Sequence, residues 1–329
     1  MYMPLSFVDR CHIAALYLGE HFTGNLFPRF FKQRIATFGL ALSERMAPRV
    51  PGKQLDIDTL SQISPENFQR NYIQKQQPLL VKGMATNWPA LRNWNFEFFR
   101  KTYGHNRVPK NNLSPKSYSG EIHYPQTNLA DLLAPQNLNE HQLSFTESLA
   151  LSPELLAAIR PGELRRYFPK ISLLNDIRIF MAGRKFFTPI HAEIFGSLFI
   201  QVYGRKRWRL YPAASYPLLQ PNIDRRYFML TEAAPEKNAP GLYPLIQYAD
   251  YYEVVLHPGD VLWFPPYTWH QVSNETDAIG VGYKYTSIPA AMRASAVLTV
   301  LNLFATRPAL PAKILGSLFN PKRTVLRQA

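Results

Sequence analysis

Thr188-Pro189-Ile190-His191-Ala192-Glu193, followed at a distance by Pro258-Gly259-Asp260-Val261-Leu262-Trp263-Phe264-Pro265-Pro266-Tyr267-Thr268-Trp269-His270, decides how this chain folds. Ile177 to Phe180 and Leu198 to Tyr203, on either side of His191, alternate apolar and polar residues and are rich in β-branched and aromatic types, which predicts strands. On a strand, residues i and i+2 share a face, so His191 and Glu193 are expected to face one interior while Ala192 faces away. A third chelating group then has to come from a strand that curls back. His270 is placed for it, because Pro258-Gly259-Asp260 is a turn signal and Val261 to Phe264 is a short apolar strand stopped by Pro265-Pro266. A barrel-like β fold brings the two stretches together. His191, Glu193 and His270 would form a two-histidine, one-carboxylate set that holds non-heme Fe(II) by one face and leaves the other open.

His-x-Glu is a weak pattern alone, and half-buried histidines beside a solvated glutamate are the plain alternative. Lys206 and Thr188 strengthen the metal reading. An ammonium fifteen residues after His191 and a hydroxyl three before it can together hold a carboxylate.

Several spaced motifs agree in order with one family. Gln77-Pro78-Leu79-Leu80-Val81-Lys82-Gly83, then Asn87-Trp88-Pro89-Ala90 and Trp94, resemble its N-terminal signature; Gly204 to Pro212 resembles its lysine strand; Tyr252 to Leu262 resembles the strand leading to its last histidine. On these motifs the chain resembles the cupin-like and JmjC branch of the Fe(II)- and 2-oxoglutarate-dependent dioxygenases, and within it the asparaginyl hydroxylases. The resemblance implies an α+β, mainly β fold: a double-stranded β-helix, the cupin or jelly-roll barrel, at about residues 173–285, with flanking N- and C-terminal helices. It implies His191, Glu193 and His270 as iron ligands, Lys206 and Thr188 as partners of the distal carboxylate of 2-oxoglutarate, and O2 as the oxidant. Ser197 falls where relatives often carry an asparagine that helps hold the co-substrate. The chain departs from the pattern in two places. Its carboxylate is Glu193, as in JmjC demethylases, where the asparaginyl hydroxylases have aspartate. The tyrosine that relatives place over the co-substrate is missing near Leu143 to Phe145.

The chain has 329 residues, 46% of them hydrophobic, enough for a substantial core. We expect a basic helical extension over 1–53, a catalytic domain over 54–290 and a second basic helical extension over 291–329. The net charge of +14 sits mostly in those flanks: seven Lys and Arg against three acids in residues 1–53, and six against none in 291–329. Such flanks read as anchors to phosphates, anionic lipid or acidic protein, or as solvated surface. The single cysteine, Cys11, excludes an internal disulfide, and with Fe(II) chemistry it points to the cytoplasm. Asp9 and Arg10 argue against a signal peptide, and no apolar stretch is long enough to span a bilayer.

Helices are predicted from Phe27 to Met46, with Phe31, Ile35, Phe38 and Leu42 on one face, and after Pro289, with Val297, Val300, Leu301 and Phe304 recurring. In the family, C-terminal helices build dimers, so a homodimer through them is expected. Ser64-Pro65-Glu66 opens a further helix, and others cover Glu97 to Tyr103, Leu129 to Leu133 and Pro153 to Ile159. Trp208, Trp263 and Trp269 are candidates to line the cavity. His105, His123, His141 and His257 match no motif.

The expected activity is hydroxylation of a protein or peptide side chain, with release of succinate and CO2. A transfer-RNA hydroxylase of the same family is the enzymatic alternative, favoured by the basic charge. Demethylation is disfavoured by the lack of a zinc-ligand cysteine cluster. A non-catalytic cupin scaffold, or a zinc- or manganese-loaded cupin, completes the alternatives.

Overall fold

Lys206–Tyr211 shows how the sequence becomes a barrel: Lys206, Trp208 and Leu210 are buried, whereas Arg207 is exposed and Arg209 half-buried. One side of the strand is therefore committed to an interior. The computed structural model describes residues 5–24, 26–27, 29–109, 111–112, 126–138, 142–145, 152–169, 172, 175–223, 228–233 and 243–305. We number the barrel strands β1 (Asn175–Ala182), β2 (His191–Ala192), β3 (Gly196–Tyr203), β4 (Lys206–Tyr211), β5 (Tyr251–Leu256), β6 (Val261–Phe264), β7 (Trp269–Asn274) and β8 (Ala278–Tyr285).

These strands form two facing antiparallel sets, ordered β6-β3-β8-β1 and β5-β4-β7-β2. The chain steps back and forth between the sheets, which is the double-stranded β-helix of a jelly roll. Short strands widen both sheets. Leu79–Val81 pairs with β6 and Gln142–Phe145 with β1; on the other side Gln54–Leu55 runs parallel to β5 and Met229–Leu230 antiparallel to β2.

Two corners set the site. Gly259 carries the β5–β6 turn at φ +96°, where a side chain would meet the Thr86 methyl, and Asp260 ties the turn by accepting from His257 N–H at 2.9 Å and Gly83 N–H at 3.0 Å. Pro265-Pro266 ends β6, and Tyr267, buried at φ +57°, turns the chain into the opposite sheet. That switch delivers His270 to β7.

One apolar core lies under the larger sheet. It joins Ile177, Ile179, Leu198 and Ile200 with Phe68, Phe99 and Leu155 of the intervening helices. The Pro153–Ile159 helix matches its expected bounds, capped by Ser152, which accepts from Leu155 N–H. The Ser64 cap and Pro65 open a short helix that continues as one turn of wider π-helix through Ile73.

A second core joins the flanks to the smaller sheet. Ile13 and Tyr17 of the Phe7–Thr23 helix, Leu42 and Met46 of the Phe30–Met46 helix, and Leu298 and Leu301 of the Ala296–Leu303 helix share it with Ile190, Ile194 and Tyr211. The expected stripe on the second helix is only half-buried at Phe31, Ile35 and Phe38, and burial becomes full toward Leu42 and Met46. The C-terminal helix differs more. Ser295 interrupts it and caps a new start by accepting from Leu298 N–H; the buried face is Leu298, Leu301, Thr299 and Asn302, and Phe304 is 58% exposed. Leu298 and Leu301 pack within the chain, and Val297 and Val300 are half-buried. No helix among the described residues is long and apolar enough to cross a membrane.

Candidate active site

β2 and β7 run antiparallel with His191 directly opposite His270, and the two rings lie 4.1 Å apart between centroids. Each ring is fixed by the carbonyl two residues before it: His191 Nδ1 to Pro189 O at 2.8 Å, His270 Nδ1 to Thr268 O at 2.9 Å. A carbonyl only accepts, so Nδ1 carries the proton and the lone pair resides on Nε2. Burial lowers the pKa of both imidazoles, that of His270 the further because His191 adds to it, so both are neutral. Trp208 stacks on His270 at 5.7 Å, Phe264 packs at 5.0 Å, and Phe228 covers His191 at 4.9 Å. Rigid, neutral and backed by a carbonyl, these are imidazoles prepared to ligate.

Glu193 faces the interior and has a partner that the sequence reading did not foresee. β2 ends at Ala192, and the Glu193 carboxylate, 8% exposed, forms an ion pair with Lys284 of β8, across the barrel. Burial alone would raise its pKa, but Lys284, Arg178 and His191 outweigh that and hold it at about 2. Among the described residues, no three histidine, cysteine or acidic side chains converge in metal-holding geometry. The structure thus brings the two histidines together and turns the carboxylate onto a lysine. The donor set still fits a divalent cation in kind. Two Nε2 lone pairs stand side by side, and the ionised carboxylate is near enough to raise the proton affinity of both rings. Lys284 takes Glu193 Oε2, which leaves Oε1 for a cation.

Lys206 lies on the same face as His270. It pairs with Asn274, four residues along β7, about 13 Å of strand away. Lys206 is 2% exposed, its ammonium has no ion-pair or hydrogen-bond partner among the described residues, and burial lowers its pKa to about 7. Phe199 flanks it at 5.7 Å. Thr188 lies between the two ends. Val272 N–H donates to its hydroxyl oxygen at 2.9 Å, and Thr188 N–H donates to Val272 O at 2.8 Å, so the hydroxyl proton is left to donate. Ser197, buried on β3, sits opposite Phe264 and Lys284 on neighbouring strands, nearer Glu193 than the deep end.

Sequence reasoning missed Lys284 and Asn274. Lys284 is the one charged residue of β8 and follows Gly280 and Gly282 on the inward alternation, a signal present in the sequence. Asn274 donates to Ala182 O and Gly183 O, and its buried Oδ1 is unpaired on the Lys206 side. Two tryptophans were misplaced. Phe264 and His270 point inward, so Trp263 and Trp269 point outward by alternation: Trp263 packs on Phe68 and Tyr285, Trp269 in the flank core. Trp208 alone of the three lines the interior. His105 and His257 are exposed at their side chains, whereas His123 and His141 lie outside the described residues.

Residues 65–291 match the family model described as Cupin-like domain. The chain is 25% identical over 241 residues to Jumonji C domain-containing protein 5 of Drosophila melanogaster, covering 69% of this chain and 59% of that protein. It is 21% identical over 258 residues to the human bifunctional peptidase and (3S)-lysyl hydroxylase JMJD7, covering 68% and 81%. It is 23% identical over 268 residues to the 2-oxoglutarate and iron-dependent oxygenase JMJD4 of Gallus gallus, covering 70% and 60%. The chain spans about half the length of several curated relatives it matches.

Proposed function

Because the chain belongs to the family of Cupin-like domains, we propose that it is an Fe(II)- and 2-oxoglutarate-dependent oxygenase that hydroxylates a protein or peptide side chain with release of succinate and CO2. The observation that carries this reading is Lys206. A buried ammonium without a partner is costly, and a protein keeps one where a ligand supplies the anion. The lysine is too far along the strand to touch the histidines, so a small molecule with a carboxylate at one end and a chelating group at the other suits the gap.

His191 and His270 would hold the iron through Nε2, with Glu193 as third ligand. The iron, when bound, supplies activation of O2 coupled to oxidation of the keto acid. Lys206 donates to the distal carboxylate as a charge-assisted bond, and Thr188 adds its hydroxyl proton. Ser197 borders the co-substrate from the larger sheet. Trp208, Phe264 and Phe228 pack the imidazoles on their ring faces, keeping water from the ligands and fixing their direction. A reducing compartment, the cytoplasm, suits Fe(II) and the lone exposed Cys11.

A protein substrate is supported by the lysyl hydroxylase among the relatives. The reading is tested by assaying succinate release with anaerobically loaded iron, together with mass spectrometry of a peptide library and an RNA library for gain of one oxygen atom. Product on peptide supports it, product on RNA moves the substrate to nucleic acid, and iron-independent or absent succinate release overturns it.

A further inference from the structure

Glu193 has a cationic partner supplied by the fold. Lys284 reaches from β8 across the interior to the carboxylate, and both side chains are nearly buried, 12% and 9% exposed. The Lys284 ammonium lies over the Phe195 ring, 5.6 Å from its centroid, and in register Lys284 stands opposite Ser197 and Asp176 on the neighbouring strands. The carboxylate is thereby neutralised by a cation delivered from the fold itself. The two facing imidazoles contribute no negative charge, so Glu193 is the sole negative group a divalent ion would gain from the expected ligand set. A divalent cation on the other carboxylate oxygen would lie close to the ammonium on Oε2, and in a buried site the two repel, which favours departure of the ammonium.

We propose that Lys284 occupies the cation's place beside Glu193 in the metal-free protein and is displaced when a metal binds, so that this lysine sets the metal affinity of the site. The pair holds the Glu193 carboxylate in the barrel interior until an ion arrives. Binding exchanges one cation for another and frees the Lys284 ammonium. The inference rests on the metal-binding reading above and concerns a residue outside its ligand set.

The test is anaerobic titration of the full chain with Co(II), followed by visible absorption, for wild type, Lys284→Met, Lys284→Gln and His270→Ala. Lys284→Met retains most of the stem and removes the charge. It is expected to tighten Co(II) binding by about tenfold or more, with Lys284→Gln changing in the same direction. A purely structural lysine would lower the melting temperature of the metal-free protein and leave the Co(II) dissociation constant unchanged, which overturns the proposal. If neither wild type nor Lys284→Met binds Co(II) better than His270→Ala, the metal-binding reading fails and the inference with it. A second measurement needs no variant: labelling of wild-type Lys284 by an amine-acylating reagent, read by peptide mass spectrometry, should rise when Co(II) is added. Unchanged labelling at saturating Co(II) overturns displacement.

Discussion

The barrel interior holds two buried lysines in opposite states. At the histidine end Lys284 is matched to Glu193 by a direct ion pair, while at the deep end Lys206 has no counter-ion among the described residues. The difference shows how one fold can be self-sufficient at one end and incomplete at the other. A paired charge in low dielectric resists change, because removing either partner strands the other. An unpaired one invites an anion. On the proposed reading the deep end awaits an anionic ligand, and a cation entering the histidine end has to compete with Lys284.

The largest expected effect tests the histidine end. His191→Ala or His270→Ala removes one of two facing imidazoles, and 2-oxoglutarate turnover should fall below detection in a succinate assay. Succinate release at the wild-type rate would show that the paired rings are not ligands. Lys206→Met tests the other end. Loss of a charge-assisted bond of about 1.5–3 kcal/mol should raise KM for 2-oxoglutarate by about 10- to 150-fold, with a smaller change in kcat.

The pH dependence sharpens the contrast. The Lys206 ammonium has its pKa lowered to about 7 by burial, so it loses its proton as pH rises past that value. KM for 2-oxoglutarate should then climb by up to about tenfold per pH unit above 7 in wild type and stay flat in Lys206→Met. The stability of the ligand-free protein has the opposite sign. Between pH about 7 and 10.5 the unfolded lysine holds a proton that the folded one lacks, so this group's contribution to stability rises with pH across that window and is flat below it. Thermal melts of wild type and Lys206→Met across the window check it. The smallest effect is expected at Thr188. Thr188→Val removes a neutral donor and should raise KM severalfold, while leaving Val272 N–H unpaired at a cost of about 1–3 kcal/mol in stability; Thr188→Ser should restore both.

Much of this was legible in the sequence because it depends on local signals. The proline pair after Phe264, the Pro258-Gly259-Asp260 turn and the alternation at Ile177 to Phe180 and Leu198 to Tyr203 each act within a few residues, and the strands and corners they predicted are observed. The two histidines could be paired because a jelly roll returns β7 to β2. What escaped depends on contacts between distant strands. Glu193 lies one residue past the end of β2, and Lys284 comes from another sheet to pair with it. On the C-terminal helix the buried face is Leu298, Thr299, Leu301 and Asn302, two of them polar, and an apolar stripe read from the sequence passes over Thr299 and Asn302. The outward turn of Trp263 and Trp269 was readable: once Phe264 and His270 point in, their sequence neighbours cannot.

Calorimetric titration of 2-oxoglutarate into anaerobic, Co(II)-loaded wild type and Lys206→Met tests the central claim most directly. The account predicts saturable binding to wild type that weakens by at least about tenfold in the variant. Equal affinity in the two proteins would contradict it, because the deep ammonium would then have no part in holding the co-substrate.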